Sequence, residues 1–229
     1  VAALSPGLLV THDVLVVFVK APRTGTVKTR LIPALGAEGA AELYRLLAEE
    51  EIRRTEPGPE GEYDRVFFYS PEGSVRELEE WLGPGTWLPQ EGADLGARMH
   101  GAFAAVFRRG ARRAAVIGTD VPWVSRDLVC AAFRALDEND VVVGPARDGG
   151  YYLLALDRPR PRLFADIPWS TGSVLEATFR RAAEERLRVG RLAALRDIDT
   201  IEDLLAVRRE LEPLLVGAPR LMRLIDGIV

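Results

Sequence analysis

Five short runs dominated by apolar residues constrain the fold of this chain more than any other feature. They are Val14 to Val19 (VLVVFV), Arg65 to Tyr69 (RVFFY), Ala114 to Ile117 (AAVI), Val141 to Val143 (VVV) and Tyr151 to Leu156 (YYLLAL). Each is continuous and does not alternate with polar residues, which marks a strand buried on both faces. Such strands belong to a parallel sheet covered by helices on either side, so the pattern predicts an α/β protein. The third run ends in Gly118-Thr119-Asp120 and then Val121-Pro122. Asp120 is therefore expected where the strand stops, at the carboxyl edge of the sheet, where open α/β sheets bind their ligands.

A helix is predicted next, with Leu128, Val129, Ala132, Phe133 and Leu136 on one face. The strand Val141 to Val143 then leads through Gly144-Pro145 into the turn Arg147-Asp148-Gly149-Gly150. The unit reads strand, helix, strand, with a carboxylate at each strand's exit. That arrangement suits a divalent cation or a polar ligand better than it suits packing. The competing structural reading makes Asp120 a cap for a helix starting near Ser125, and Asp148-Gly149 an ordinary turn.

The first strand delivers the most cationic loop of the chain, with Lys20, Arg23, Lys28 and Arg30 and no acid between residues 20 and 30. Gly25 gives its backbone freedom to fold around a ligand. Lysine point charges and the planar arginine fork together suit a di- or triphosphate. The loop is not a Walker motif, because Val27 and Pro22 stand where glycines are required. A helix from about Ala37 should present Ala40, Leu43, Tyr44, Leu47 and Ala48 inward.

Glu56 to Glu62 (EPGPEGE) is a surface link and no domain boundary, so 1–229 reads as one domain. A helix through Leu78 and Trp81 follows the second strand, and Trp87-Leu88 reads as a short strand. Asp94 is the natural N-cap of a helix whose buried stripe is Leu95, Met99, Ala102, Phe103 and Val106. Arg98, on its first turn, is placed to face a ligand. A later helix should turn Val174, Leu175, Thr178, Phe179 and Ala182 inward, and the competing structural reading of the loop before it makes Ser170 or Thr171 its N-cap. Arg191 to Leu195 is read as a last strand, and Thr200 with Asp203 as a capping-box-like helix start. Asp199 lies just before it, free to reach into a cleft, and helix continues from about Pro213.

The 229 residues carry a formal net charge of −4, which argues against a dedicated nucleic-acid binder while leaving room for a local basic pocket. The single cysteine, Cys130, excludes an intrachain disulfide and a cysteine cage for zinc, and two histidines exclude a histidine-rich metal site. A carboxylate site for a hard cation such as Mg²⁺ remains open. No stretch approaches the roughly twenty apolar residues that span a bilayer. Residues 1 to 13 are a weakly specified lead-in without a signal-peptide pattern, so a soluble, cytoplasmic protein is expected. The oligomeric state is not legible.

FVKAPRTGTVKTRL, QEGADLGARM, IGTDVP, GPARDGGYYLLAL, IPWST and DIDTIEDL occur in that order. Through them the chain resembles, over nearly its whole length, bacterial transferases with the GT-A-type nucleotide-diphospho-sugar transferase fold. That family is related to 2-phospho-lactate guanylyltransferases and, more distantly, to molybdenum-cofactor guanylyltransferases. The resemblance implies a Rossmann-like three-layer α/β sandwich whose mostly parallel sheet holds a nucleotide over its carboxyl edge. It implies that Lys20, Lys28 and Arg30 bind phosphates, with Arg23, Gly25, Asp94 and Arg98 completing the nucleotide side. Asp120 and Asp199 are the implied ligands of Mg²⁺ (or Mn²⁺). Gly-Thr-Asp replaces the plain Asp-x-Asp of GT-A glycosyltransferases, and Ala-Pro-Arg-Thr-Gly replaces the glycine-rich opening of sugar-nucleotide pyrophosphorylases.

The function expected from these residues is Mg²⁺-dependent transfer from a nucleotide or nucleotide sugar to a small-molecule acceptor. Glycosyl and nucleotidyl transfer both remain open. Lys20, Lys28, Asp120 and Asp148 form the expected catalytic set. Asp148, Gly149, Gly150, Tyr151, Trp169, Ser170 and Thr171 form the expected acceptor side. The rival expectation is a non-catalytic nucleotide-binding regulatory or scaffold protein of the same fold.

Overall fold

Among the described residues seven strands make one sheet: β1 (Asp13–Val19), β2 (Asp64–Tyr69), β3 (Trp87–Pro89), β4 (Arg113–Ile117), β5 (Val141–Pro145), β6 (Tyr151–Leu156) and β7 (Val189–Arg191). Their order across the sheet is β3-β2-β1-β4-β6-β5-β7. The computed structural model describes residues 12–70 and 74–228, so all but the last two residues of the expected lead-in lie outside the described residues. All five predicted strands are present. Alternate residues of β1 enter opposite layers, Leu15, Val17 and Val19 on one side and Val14 and Val16 on the other, and all five are buried. That two-sided burial is why the run is continuously apolar.

The helices are α1 (Ile32–Arg54), α2 (Val75–Leu82), α3 (Leu95–Arg108), α4 (Arg126–Ala135), α5 (Val174–Glu184), α6 (Ile201–Ala206), α7 (Arg208–Leu215) and α8 (Pro219–Asp226). Val129, Ala132 and Phe133 of α4 cover one face of the sheet with Leu78 of α2. Met99, Ala102, Phe103 and Val106 of α3 and Ala182 of α5 cover the other. Leu43 and Leu47 of α1 pack against Leu204, Leu211, Leu221 and Ile225 of the last three helices. Gly36, at φ 72° and ψ 164°, breaks α1 after its first turn, so the regular helix starts at Ala37 as expected.

Four sequence expectations need correction. β6, read from its run as one more strand of a parallel sheet, lies antiparallel between β4 and β5. A tight turn at 146–150 makes β5 and β6 a hairpin, and a strand buried on both faces reads the same in either direction. Leu95 is 43% exposed and leaves the buried stripe, whose place at the first turn is taken by Gly96. The last strand is Val189–Arg191, after which Leu195 only bridges to Ala146. Pro213 lies inside α7, and a separate helix starts at Pro219.

Capping decides several helix starts. Asp94 accepts from the Ala97 amide at 2.8 Å, and Thr200 with Asp203 closes a full capping box. Ser125 caps α4, accepting from Leu128 N at 3.4 Å, which leaves Asp120 without a capping role there. Ser173 precedes α5 in place of Ser170 or Thr171, and it makes no side-chain cap bond.

Candidate functional site

A cleft of about 770 Å³ opens over the carboxyl ends of β1 and β4 and the amino end of the antiparallel β6. Its floor is built by a crossed set of hydrogen bonds. The buried Tyr44 hydroxyl, on α1, accepts from the Lys20 amide at 2.9 Å and shares a 3.0 Å bond with Thr119 Oγ1. Thr119 also donates to the Phe18 carbonyl at 3.3 Å. The exits of β1 and β4 are thereby held side by side. Burial raises the Tyr44 phenol far above its usual range, so it serves as a neutral strut.

The segment that brings Asp199 is pinned to the same place. Ile198 N donates to the Asp120 carbonyl at 3.3 Å, and Trp123 Nε1 to the Arg196 carbonyl at 3.0 Å. Lys28 closes the set. Its ammonium lies 2.7 Å from Asp120 Oδ1 and 2.9 Å from Asp199 Oδ1, with 2% of its side chain exposed. The two carboxylates are 50% and 42% exposed, so they look into the cleft. Lys28 stands in the left-handed region at φ 47°, a conformation uncommon for a residue other than glycine.

Burial alone would lower the Lys28 pKa, but the two carboxylates outweigh it and hold the ammonium charged well above the ordinary lysine value. Crowding in the cleft would raise the Asp120 carboxyl, and the Lys28 ammonium reverses this and holds it below the usual range. Beneath them Glu51 of α1 is 1% exposed and accepts from Val121 N at 2.9 Å. Burial pushes its carboxyl well above the ordinary glutamate value, with Asp120 adding to the rise.

Around the rim the structure brings Lys20, Arg30 and Arg98 to the cleft, together with Asp94. Arg98 donates to the Gly92 carbonyl at 3.3 Å. Arg23 goes elsewhere, gripping Glu77 of α2 with two bonds of 2.5 and 3.0 Å, and neither it nor Gly25 lines the cleft.

On the far wall Tyr151 and Ser170 line the cleft, whereas Asp148, Gly149, Gly150, Trp169 and Thr171 do not. Asp148 Oδ1 accepts from Gly150 N at 2.8 Å, the geometry of an ordinary turn. Its charge, after burial, is the main cause that lifts neighbouring Asp197 to about 6. Tyr44, Thr119, Gln90 and Glu51 are the residues that reasoning from sequence missed. A tyrosine on a helix face reads as packing, and nothing in the local pattern shows where its hydroxyl ends.

Oxygen ligands for a hard cation are present as the pair Asp120 and Asp199. Among the described residues no group of three or more His, Cys, Asp or Glu side chains converges to cage a metal. Two carboxylates facing a cleft fit Mg²⁺ or Mn²⁺ that takes its remaining ligands from substrate phosphates and water.

Fold and cleft together define the class: a mostly parallel α/β sheet of the nucleotide-diphospho-sugar transferase type, with cations and carboxylates gathered at its carboxyl edge. The profile of a family described as "uncharacterized protein conserved in bacteria" (DUF2064) matches residues 58–171. A solved structure from Desulfovibrio desulfuricans G20, designated provisionally a nucleotide-diphospho-sugar transferase, is similar at 32% identity and a TM-score of 0.85, over 93% of this chain and 97% of that one. The chain belongs to this family of transferases. It is also similar to the phosphoenolpyruvate guanylyltransferase of Chloroflexus aggregans, at 29% identity over 140 residues, 60% of this chain and 69% of the relative. The fold is shared with the manganese complex of Rv0371c from Mycobacterium tuberculosis H37Rv, at 19% identity and a TM-score of 0.50 over 88% of this chain and 98% of that one. Among the described residues no helix is long and apolar enough to cross a membrane.

Proposed function

We propose that this chain transfers a nucleotidyl group from a nucleoside triphosphate to a small acceptor with the help of a divalent cation. The observation that carries the reading is the Lys28 ammonium between Asp120 and Asp199, set in a cleft whose rim supplies Lys20, Arg30 and Arg98. Similarity to the guanylyltransferase of Chloroflexus aggregans supports nucleotidyl transfer over other donor chemistry.

In this reaction an acceptor oxygen attacks the α-phosphorus, and the bond from that phosphorus to the pyrophosphate oxygen breaks. Pyrophosphate leaves with the electron pair. Negative charge therefore grows on the leaving group, and fixed cations aimed at it lower the barrier. Lys20 and Arg30, on the loop after β1, take the β and γ phosphates. Lys28, already desolvated and charged, meets the phosphate chain from below. Asp120 and Asp199 would hold Mg²⁺, which when bound withdraws charge from the phosphate oxygens. Tyr151 and Ser170 face the acceptor, with the Asp148 turn behind them.

Transfer of a sugar from a nucleotide sugar would load the same cations, and the Desulfovibrio relative's designation favours it. The products separate the two readings. Incubation with nucleoside triphosphates, Mg²⁺ and a panel of phosphorylated and hydroxylated acceptors should release pyrophosphate. Release of a nucleoside diphosphate from nucleoside-diphosphate sugars under the same conditions would establish glycosyl transfer instead. Nucleotides that neither bind nor raise the melting temperature, with or without Mg²⁺, would overturn the whole reading.

A further inference from the structure

Residues 166–173 touch both walls of the cleft. At one end the Trp169 indole lies directly on Gly96 in the first turn of α3, where even a Cβ would collide with the ring. At the other, Gly149 (φ 91°) packs so closely on Gly172 that a Cβ there would overlap the Gly172 carbonyl. Leu175 N also donates to the Gly149 carbonyl at 2.9 Å. Between these contacts Ser170 faces the cleft. Asp166 and Ser170 both sit in the left-handed region, at φ 55° and 63°. Non-glycine residues are held there only when their surroundings over-determine the backbone, and such strain gathers at ligand-clamping segments. Thr171 Oγ1 donates to the Pro168 carbonyl at 2.7 Å and tightens the loop between its two anchors.

We propose that Trp169 is a positioning residue that couples the two halves of the cleft. Its ring ties Ser170 and the 148–150 turn to the α3 turn that carries Asp94 and Arg98. A nucleotide seated against Arg98 then orders the wall on which the second substrate docks. The inference rests on the nucleotide reading above. Trp169 does not line the cleft, so its effect passes through Ser170. A parallel contact runs the same way, the Tyr151 hydroxyl donating to Met99 Sδ at 3.8 Å.

Hydrogen–deuterium exchange on the full chain tests the coupling, with GTP and Mg²⁺ as the probe. In the wild-type protein the nucleotide should slow exchange both at residues 20–30 and at 166–173. In Trp169→Ala the slowing should persist at 20–30 and vanish at 166–173, and Trp169→Phe, whose ring still covers Gly96, should restore it. Slowing at 20–30 with no response at 166–173 in wild type, or an undiminished response in Trp169→Ala, would overturn the coupling. Absence of slowing at 20–30 would instead count against the nucleotide reading. The coupling is then judged without ligand by Gly96→Ala, which expels the ring. Exchange at 148–150 and 166–175 should rise by at least about fivefold in that variant. Unchanged exchange there would refute it.

Discussion

Lys28 and Asp120 meet at 2.7 Å across the cleft floor, and the lysine is the buried member of the pair while the aspartate is half open to solvent. The ammonium is thus paid for in desolvation and held by carboxylates that remain accessible to a cation. Replacing Lys28 with Met leaves Asp120 and Asp199 facing each other without a counter-charge. Because both carboxylates are substantially exposed, water screens the repulsion and the loss is small, about 1 kcal/mol, or about 2–4 °C in melting temperature for a chain of this size. Mg²⁺ should restore more stability to Lys28→Met than it adds to wild type. Equal Mg²⁺ responses in a thermal-shift titration would show that the two carboxylates do not share a cation.

Asp120→Asn keeps the shape and removes one negative charge. The Mg²⁺-dependent part of nucleotide affinity should disappear, and the metal-free protein should lose a little stability, because the buried Lys28 ammonium keeps only Asp199 as a charged partner. Ser125 already caps α4, so no helix cap is lost with the substitution. Calorimetric titration of GTP into both proteins, with and without Mg²⁺, checks this. An unchanged Mg²⁺ response would reduce Asp120 to a partner of Lys28.

The basic loop divides into residues that serve the cleft and one that serves the fold. Lys20→Ala and Arg30→Ala should each weaken nucleotide binding about tenfold, the equivalent of about 1.4 kcal/mol. Arg23→Ala should leave affinity unaltered, because its guanidinium is committed to Glu77. The same calorimetric series decides, and a loss in Arg23→Ala as large as in Arg30→Ala would move Arg23 into the site.

Glu51 should make the stability of the protein fall as pH rises above the ordinary glutamate range. Its carboxyl is raised in the folded state, so above about pH 4 the unfolded chain gives up that proton while the folded chain keeps it. The unfolded state then binds fewer protons, and stability falls as pH rises towards the folded value. Glu51→Gln, which can still accept from Val121 N and cannot ionise, should match wild type at the acid end and melt higher as pH increases. Parallel melting curves across pH would mean that Glu51 is ionised in the folded protein.

The strands, the caps at Asp94 and Thr200, and the position of Asp120 at a strand exit were legible because each depends on a local pattern. Burial on both faces writes itself into β1 as VLVVFV, and a cap writes itself as a polar residue before a periodic run. Strand order does not. Nothing in YYLLAL reports that it runs antiparallel between β4 and β5. Contacts across long separations were equally silent. The ammonium of Lys28 reaches Asp199 over 171 positions, and Glu51 reaches the amide of Val121 over 70. Leu95 fitted the helical stripe by spacing, yet Gly96 beside it is the residue the Trp169 ring requires.

The antiparallel seat of β6 also acts as a ruler. Strands stand about 4.8 Å apart, which suspends the 146–150 turn about 5 to 10 Å from the end of β4. An antiparallel neighbour needs only a turn, whereas parallel strands need a long crossover. Adding or removing a residue at 146–150 therefore changes the reach of that wall without rethreading the sheet. The loop after β1 has no such latitude, since any change in its length pulls Lys28 off two carboxylates delivered from elsewhere. On the proposed division of the cleft, new acceptors would be most readily accommodated by redrafting the hairpin tip, while the donor side stays fixed.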